Sequence, residues 1–96
     1  MRKRKEFYVV AYDIASSRQR RKFSQILEKY GRRINKSVFE CLASPAELYA
    51  VKCAAHSLID VKKDSVVFYN LCIDCFAKAE YVPEVKRDIS TVKILA

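Results

Sequence analysis

An aspartate lies at the end of an apolar segment near the beginning of the chain, and basic residues follow it closely. The segment covers residues 7–14 and carries Asp13, and Arg18, Arg20 and Lys22 come soon after. A carboxylate at the end of a buried strand, followed by cations, suits a hard metal ion that faces a phosphate backbone. This pattern predicts a site for metal and phosphate at the end of the strand.

A second basic segment, residues 31–40, leads into an aromatic strand. Together the two segments supply cations that can bind phosphates or stabilise charge in a transition state. The alternative is a solvated helix face, but the net charge of +8 favours phosphate contact for the set as a whole. The predicted phosphate-binding residues are Arg18, Arg20, Lys22 and Arg33.

Two aromatic residues accompany these cations. Tyr12 and Phe39 can each stack on a base or shape the surface between two protomers, although aromatic residues of strands more often pack in a core or an interface. We expect Tyr12 to contact nucleic acid and Phe39 to pack at a dimer interface.

The composition describes a single basic domain. Of 96 residues, 51% are hydrophobic and 31% are charged, which is typical of a globular chain. The 19 lysines and arginines exceed the 11 acidic residues, so nucleic acid is the favoured partner and an anionic membrane the second. For so small a domain, a second copy of the chain is an effective way to bury more apolar surface, and we expect a homodimer.

The sequence does not favour a membrane location. No apolar run approaches the ~20 residues that a membrane-spanning helix needs, and residues 1–6 lack the apolar stretch of a signal peptide. We therefore expect a cytoplasmic protein whose four cysteines are reduced thiols.

Two pairs of residues, Cys53 with His56 and Cys72 with Cys75, have the spacing of zinc ligands. The first pair falls on the flank of a predicted helix, and no glycine accompanies either pair. We therefore favour solvent for His56 and the end of a buried strand for Cys72, where a thiol acts as a small hydrophobic group.

Hydrophobic periodicity predicts two helices. The first begins at Ser16 or Ser17 as N-cap and ends at Gly31 as a C′ glycine. The second begins at Pro45 after Ser44 as N-cap. Their predicted apolar faces are Phe23, Ile26, Leu27 and Tyr30 in the first, and Leu48, Val51, Ala55, Leu58 and Ile59 in the second.

The remaining segments alternate as strands do, and they suggest a two-layer architecture. Strands are expected at residues 7–14, 32–43, 66–72 and 89–95, with a short one at 77–83. Both helices then cover one face of an antiparallel sheet, which is an α+β, ferredoxin-like sandwich. That architecture requires the 32–43 segment to bend, near Ser37, and to act as two strands.

Several short motifs, in order and in spacing, resemble the CRISPR-associated protein 2 family, the small subunit of the spacer-acquisition complex. The resemblance covers roughly residues 7–75. The chain departs from the family at Asn35, where a glutamine, longer by one methylene, is usual. The matching motifs are Tyr12-Asp13-Ile14, the helix start with Arg20 and Lys22, Tyr30-Gly31, Arg33-Ile34, Ser37-Val38-Phe39-Glu40, and Asp64-Ser65 followed by an aromatic strand that ends at Cys72.

The resemblance implies one ferredoxin-like domain over residues 1–96, with a core at about 7–83, and a two-fold dimer. In this dimer the C-terminal segment 84–96 carries a strand that adds to the partner's sheet, with Ile89, Val92 and Ile94 at the interface. It also implies Mg²⁺-dependent endonuclease cleavage of single-stranded RNA or duplex DNA. The implied partner is the CRISPR integrase, two dimers of which the protein bridges.

Asp13 is the predicted catalytic and metal-binding residue. One carboxylate binds Mg²⁺ weakly, because the ion prefers near-octahedral oxygen coordination. A two-fold axis would bring two copies of Asp13 together and supply a pair. The alternative is a structural aspartate that caps the following helix or forms an ion pair with Arg18.

Two other functions stay open. In one, the protein is a non-catalytic subunit that binds duplex DNA and bridges integrase dimers, and Asp13 is structural. In the other, it is a toxin-type ribonuclease of related fold that acts on messenger RNA.

Overall fold

The computed structural model describes residues 4–82. Four strands form one antiparallel sheet in the order β2-β3-β1-β4, and two longer helices pack on it. This is the expected α+β, ferredoxin-like sandwich. The elements are β1 (Glu6–Asp13), α1 (Ser17–Leu27), β2 (Gly31–Asn35), β3 (Val38–Ala43), α2 (Pro45–Leu58), β4 (Ser65–Leu71) and α3 (Ile73–Ala77).

The main core lies between the sheet and helices α1 and α2. Every second residue of β1 points into it, because successive side chains of a strand face opposite sides of the sheet. The apolar faces predicted for the two helices supply most of the other members. The buried residues of this core are Tyr8, Val10, Tyr12, Ile14, Phe23, Leu27, Phe39, Cys41, Leu48, Val51 and Ala55.

Both helix starts were predicted correctly. Ser16 is the N-cap of α1, and its hydroxyl accepts a hydrogen bond from the backbone N–H of Gln19 at 3.3 Å. Ser44 and Glu47 form a reciprocal capping box at the start of α2, with Pro45 in the first turn. These caps satisfy backbone donors that have no partner within the helix.

The predicted bend near Ser37 is confirmed. A turn at residues 36–37 separates β2 from β3, and the two strands form an antiparallel hairpin. The side-chain Oδ1 of Asn35 accepts a hydrogen bond from the backbone N–H of Lys36 at 2.7 Å, so this amide stabilises the turn.

Gly31 does not terminate α1 as predicted. The helix ends at Leu27 with Glu28 as C-cap, and Gly31 is the first residue of β2. A Cβ added at Gly31 would lie 1.8 Å from the carbonyl oxygen of Glu40 and 2.7 Å from the Cα of Cys41. A glycine is needed here because the backbone of β3 approaches so closely.

The prediction of a short strand at residues 77–83 is wrong for residues 77–82, which the structure describes. Residues 73–77 form α3, and no strand follows up to residue 82. The ring of Phe76 is buried and stacks on the ring of Phe7, with the two centroids 3.8 Å apart. This contact with the sheet favours a helical turn at Phe76. Cys72, expected at the end of a buried strand, is an exposed N-cap of α3.

The face of the sheet opposite to α1 and α2 is covered only near one end in the described part of the chain. There Phe7, Leu42 and Phe76 form a small second core. At the other end, the exposed side chains of Val67 (41%) and Tyr69 (55%) belong to this face. The predicted strand with Ile89, Val92 and Ile94, and the whole segment 84–96, lie outside the described residues.

Candidate nucleic-acid interface

A basic cavity of ≈ 210 Å³ lies where the end of β1, the first turns of α1 and the β2–β3 turn meet. Arg20 and Arg33, distant in sequence, both line it. Arg21 belongs to the cationic cluster that follows Asp13 in the sequence, but the predicted binding residues did not include Arg21, Lys36 or the two serines of this site. The complete lining is Tyr12, Ser17, Arg20, Arg21, Ser24, Arg33 and Lys36.

Backbone carbonyl groups hold two of these guanidinium groups in place. Nη1 of Arg20 donates to the carbonyl oxygen of Ile14 at 2.9 Å, and Nη1 of Arg33 donates to that of Lys36 at 2.6 Å. A guanidinium carries five N–H donors, so each keeps others for a ligand. The pair is therefore pre-positioned to bind an anion such as a phosphate.

Tyr12 contributes its hydroxyl end to the cavity and its ring to the core. Its exposure is 5%, and Phe23 packs against it edge-on with centroids 5.2 Å apart. Burial raises the pKa of the Tyr12 hydroxyl, while the charges of Arg33 and Arg20 act in the opposite sense. Stacking of a base on this ring is not possible without rearrangement of the core, so a contact with nucleic acid would involve the hydroxyl.

Phe39 lies inside the protomer. It has no exposed surface, and the guanidinium of Arg33 lies 5.1 Å from its ring centroid. A side chain without exposed surface gives a second protomer nothing to contact. The placement corrects the expectation of a dimer-interface residue: Phe39 packs in the core and supports Arg33.

Arg18 and Lys22 are exposed on α1 and do not line the basic cavity. Lys22 instead borders a shallow groove between α1 and α2, together with Lys29 and Leu58. Of the four predicted cations, Arg20 and Arg33 therefore share one cavity, whereas Arg18 and Lys22 lie on α1 outside it. The contact of Arg18 and Lys22 with phosphate stays a prediction.

Asp13 lies at the same end of the sheet as the basic cavity but on its opposite face. It is exposed, and it pairs with Ser65 in the β1–β4 register. Because Tyr12 faces the helices, its neighbour Asp13 faces the uncovered side. Carboxylate and cations, which the sequence suggested as one site, are therefore separated by the thickness of the sheet.

Neither structural alternative for Asp13 is present. The cap of α1 is Ser16, and within residues 4–82 the Asp13 carboxylate has no hydrogen bond or ion pair, with Arg18 or any other residue. The loop after β1 is held instead by Asp64, whose Oδ1 accepts from the backbone N–H of Ala15 at 3.0 Å. Asp13 is thus available to an external ligand.

Asp64, which belongs to one of the sequence motifs but had no predicted role, is a structural residue. Its carboxylate accepts backbone hydrogen bonds from Asp60, at 2.8 Å, and from Ala15. These two bonds hold the pKa of Asp64 below its ordinary range. The sequence does show an acidic residue directly before β4. It does not show the partner of this residue, because the backbone of Ala15 on the β1–α1 loop is far away in the sequence.

The described residues offer one protomer no complete metal site. No group of three or more histidine, cysteine, aspartate or glutamate side chains comes together in residues 4–82. Asp13 alone fits a hard cation such as Mg²⁺ only as one of several oxygen ligands. Its exposure and lack of partners are compatible with such a role if a second copy supplies another carboxylate.

The described part of the chain also contains no helix that is long and apolar enough to span a membrane.

Comparisons with known proteins agree with the fold and with its motifs. The family model for CRISPR associated protein Cas2 matches residues 6–79. The chain is 35% identical over 89 residues to CRISPR-associated endoribonuclease Cas2 1 of Chloroflexus aurantiacus, with 86% of this chain and 96% of the relative covered.

Two solved structures are similar as well. Cas2 of Streptococcus pyogenes gives a TM-score of 0.72 at 31% identity, over 78% of this chain and 96% of that one. A chain of a partial Cas6-RT-Cas1–Cas2 complex gives 0.68 at 28% identity, over 82% and 92%. By its sequence, its sheet order and these relatives, the chain belongs to the Cas2 family of CRISPR-associated proteins.

Proposed function

We propose that this protein is a cytoplasmic, nucleic-acid-binding homodimer that takes part in CRISPR adaptation, bridges dimers of the CRISPR integrase and has Mg²⁺-dependent endonuclease activity on single-stranded RNA or duplex DNA. The observation that carries the catalytic part is the exposed carboxylate of Asp13, which has no partner in residues 4–82. The name of the Chloroflexus relative, an endoribonuclease, and the Cas1–Cas2 complex among the similar structures support activity and partner.

The uncovered face of the sheet supports the dimer. Val67 and Tyr69 are exposed on this face, next to Ala11 and Val9 in the β1–β4 register. Apolar side chains grouped in this way favour contact with a second protein surface. A two-fold axis through this face would bring two copies of Asp13 towards each other.

In this proposal the two faces of the sheet have separate tasks. Arg20 and Arg33 bind backbone phosphates in the basic cavity and orient the nucleic acid without reading its sequence. The two Asp13 carboxylates hold the cation. A cation held there would supply polarisation of the phosphodiester and a lower pKa of the attacking water.

Asp13→Asn tests the catalytic part, because it removes one charge from each protomer and keeps the size of the side chain. We expect cleavage of RNA and duplex DNA to fall by at least two orders of magnitude, since the cation is no longer held. The fold should be unchanged, because Ser16 and Asp64 organise the following loop. Cleavage is measured with and without Mg²⁺, and thermal unfolding in parallel.

Glu28→Gln is the matched control, since it removes the same charge from an exposed position on the helix layer. It should cleave as wild type does. Full activity of a folded Asp13→Asn dimer would contradict the catalytic role and leave the alternative of a non-catalytic, DNA-binding scaffold. Membership of the Cas2 family disfavours the toxin-type ribonuclease, which would act without an integrase.

A further inference from the structure

Two cysteines at the start of α3 have no part in the proposed function. Cys72 and Cys75 are both exposed. The backbone N–H of Cys75 donates to the sulfur of Cys72 at 3.2 Å, across one turn of chain. The folded chain thus holds the sulfur of Cys72 against the backbone of Cys75, within one turn of a second exposed thiol.

The two thiols differ in their surroundings. Cys72 lines a cavity of ≈ 790 Å³, open to solvent, between the start of β1 and the end of β4, and Cys75 is not part of its lining. Arg4 and Lys5 line the same cavity. Glu6 and Asp74 line it as well, so the two cations offset two carboxylates, and a small anionic disulfide can reach the sulfur of Cys72 without net repulsion.

The titration of the thiols agrees with this asymmetry. The hydrogen bonds from Cys75 lower the pKa of Cys72, and the contact with Cys72 raises the pKa of Cys75. The thiolate is the form that attacks disulfides, so Cys72 is the better nucleophile of the pair. Cys75 is placed to react in the second step.

We propose that Cys72 and Cys75 are a redox-active dithiol, which small anionic disulfides such as glutathione disulfide oxidise to an intramolecular disulfide. The Cys72 thiolate attacks one sulfur of glutathione disulfide, forms a mixed disulfide and releases one glutathione thiolate. Cys75 then loses its proton to solvent and attacks the Cys72 sulfur, which releases the second glutathione. One disulfide is reduced and one is formed, so atoms and electrons balance.

The other two cysteines serve as internal references. Cys41 is buried, and burial raises its pKa to about 12, so it should not react in the folded protein. Cys53 is exposed on α2, and its nearest cysteine in the sequence, Cys41, is buried. Digestion with trypsin separates Cys53 from the pair: peptide 64–78 contains both Cys72 and Cys75, whereas peptide 53–62 contains Cys53.

The experiment equilibrates the reduced, full-length protein with mixtures of reduced and oxidised glutathione in the presence of a metal chelator. Acid quenching, alkylation, digestion and mass spectrometry follow. We expect peptide 64–78 to change from a doubly alkylated form to the disulfide form, which carries no alkyl group and has two hydrogen atoms fewer than the reduced peptide. In Cys75→Ser, the glutathione adduct on Cys72 should persist. A wild-type peptide that stays alkylated, or that carries two glutathiones, would overturn the proposal.

The role of the two cations, which offset Glu6 and Asp74, is tested by the rate of oxidation. In the double variant Arg4→Gln, Lys5→Gln, oxidation of peptide 64–78 by glutathione disulfide should slow several-fold, while oxidation by neutral 2-hydroxyethyl disulfide keeps its rate. Equal rates of wild type and variant with glutathione disulfide would remove the role of the two cations. Neither assay depends on nuclease activity, so failure here and failure of the proposed function are distinguishable.

Discussion

If the basic cavity binds phosphates, the affinity for duplex DNA should depend on salt concentration in a way that can be calculated. Each phosphate contact made by an arginine or lysine contributes about 0.9 to the slope of log affinity against log salt concentration on duplex DNA. The proposed homodimer would have two such cavities, so Arg33→Ala would remove two contacts if both engage the duplex. The slope should then decrease by about 1.8. Between roughly 50 and 200 mM salt, wild type should lose about twelve-fold more affinity than the variant.

The same substitution has a small cost in stability that must be measured separately. Arg33 is exposed, contacts the ring of Phe39 and donates to the carbonyl oxygen of Lys36. Loss of an exposed cation–π contact costs about 0.5–1 kcal/mol, which corresponds to a decrease in Tm of several degrees for a domain of this size. Binding is therefore measured well below the Tm of the variant.

The assay is fluorescence anisotropy on two duplexes of equal length and unrelated sequence, at several salt concentrations. Lys62→Ala is the control, because it removes the same charge from an exposed position outside the cavity. An unchanged slope in a folded Arg33→Ala dimer would refute phosphate binding by this residue. A change in the relative affinity for the two duplexes would show contact with bases instead of the backbone.

Two further predictions concern the fold. Gly31→Ala should lower the Tm strongly in a thermal scan, because the new Cβ would lie 1.8 Å from the carbonyl oxygen of Glu40. Overpacking of this kind costs about 1–3 kcal/mol or more. An unchanged Tm would contradict the close approach of the two strands. Asp64→Asn should lower the Tm at neutral pH, because the lowered pKa of Asp64 means that its ionised carboxylate stabilises the fold. The difference from wild type should shrink as the pH falls below the ordinary aspartate pKa of about 3.9 and through the lowered pKa of the folded protein; a difference that persists in strong acid would exclude this charge as the cause.

Much of the fold could be predicted because the responsible interactions are local. The caps at Ser16 and Ser44, and Pro45 in the first turn, act within a few residues of the helix starts. The alternation of β1 and the bend near Ser37 likewise depend on neighbouring residues. Local patterns failed at Gly31, where the strand opposite decides, and at α3, where the stacking of Phe76 on Phe7 decides.

For the candidate site, the residue types can be read from the sequence: a strand-end carboxylate, a cluster of cations and a pair of cysteines. Their grouping depends on contacts between elements that are distant in the sequence. Arg20 and Arg33 converge because α1 and the β2–β3 hairpin meet at one end of the sheet, whereas Asp13 faces the other side. The physical reason is that successive strand residues point in opposite directions, while long-range packing chooses the face that the helices cover.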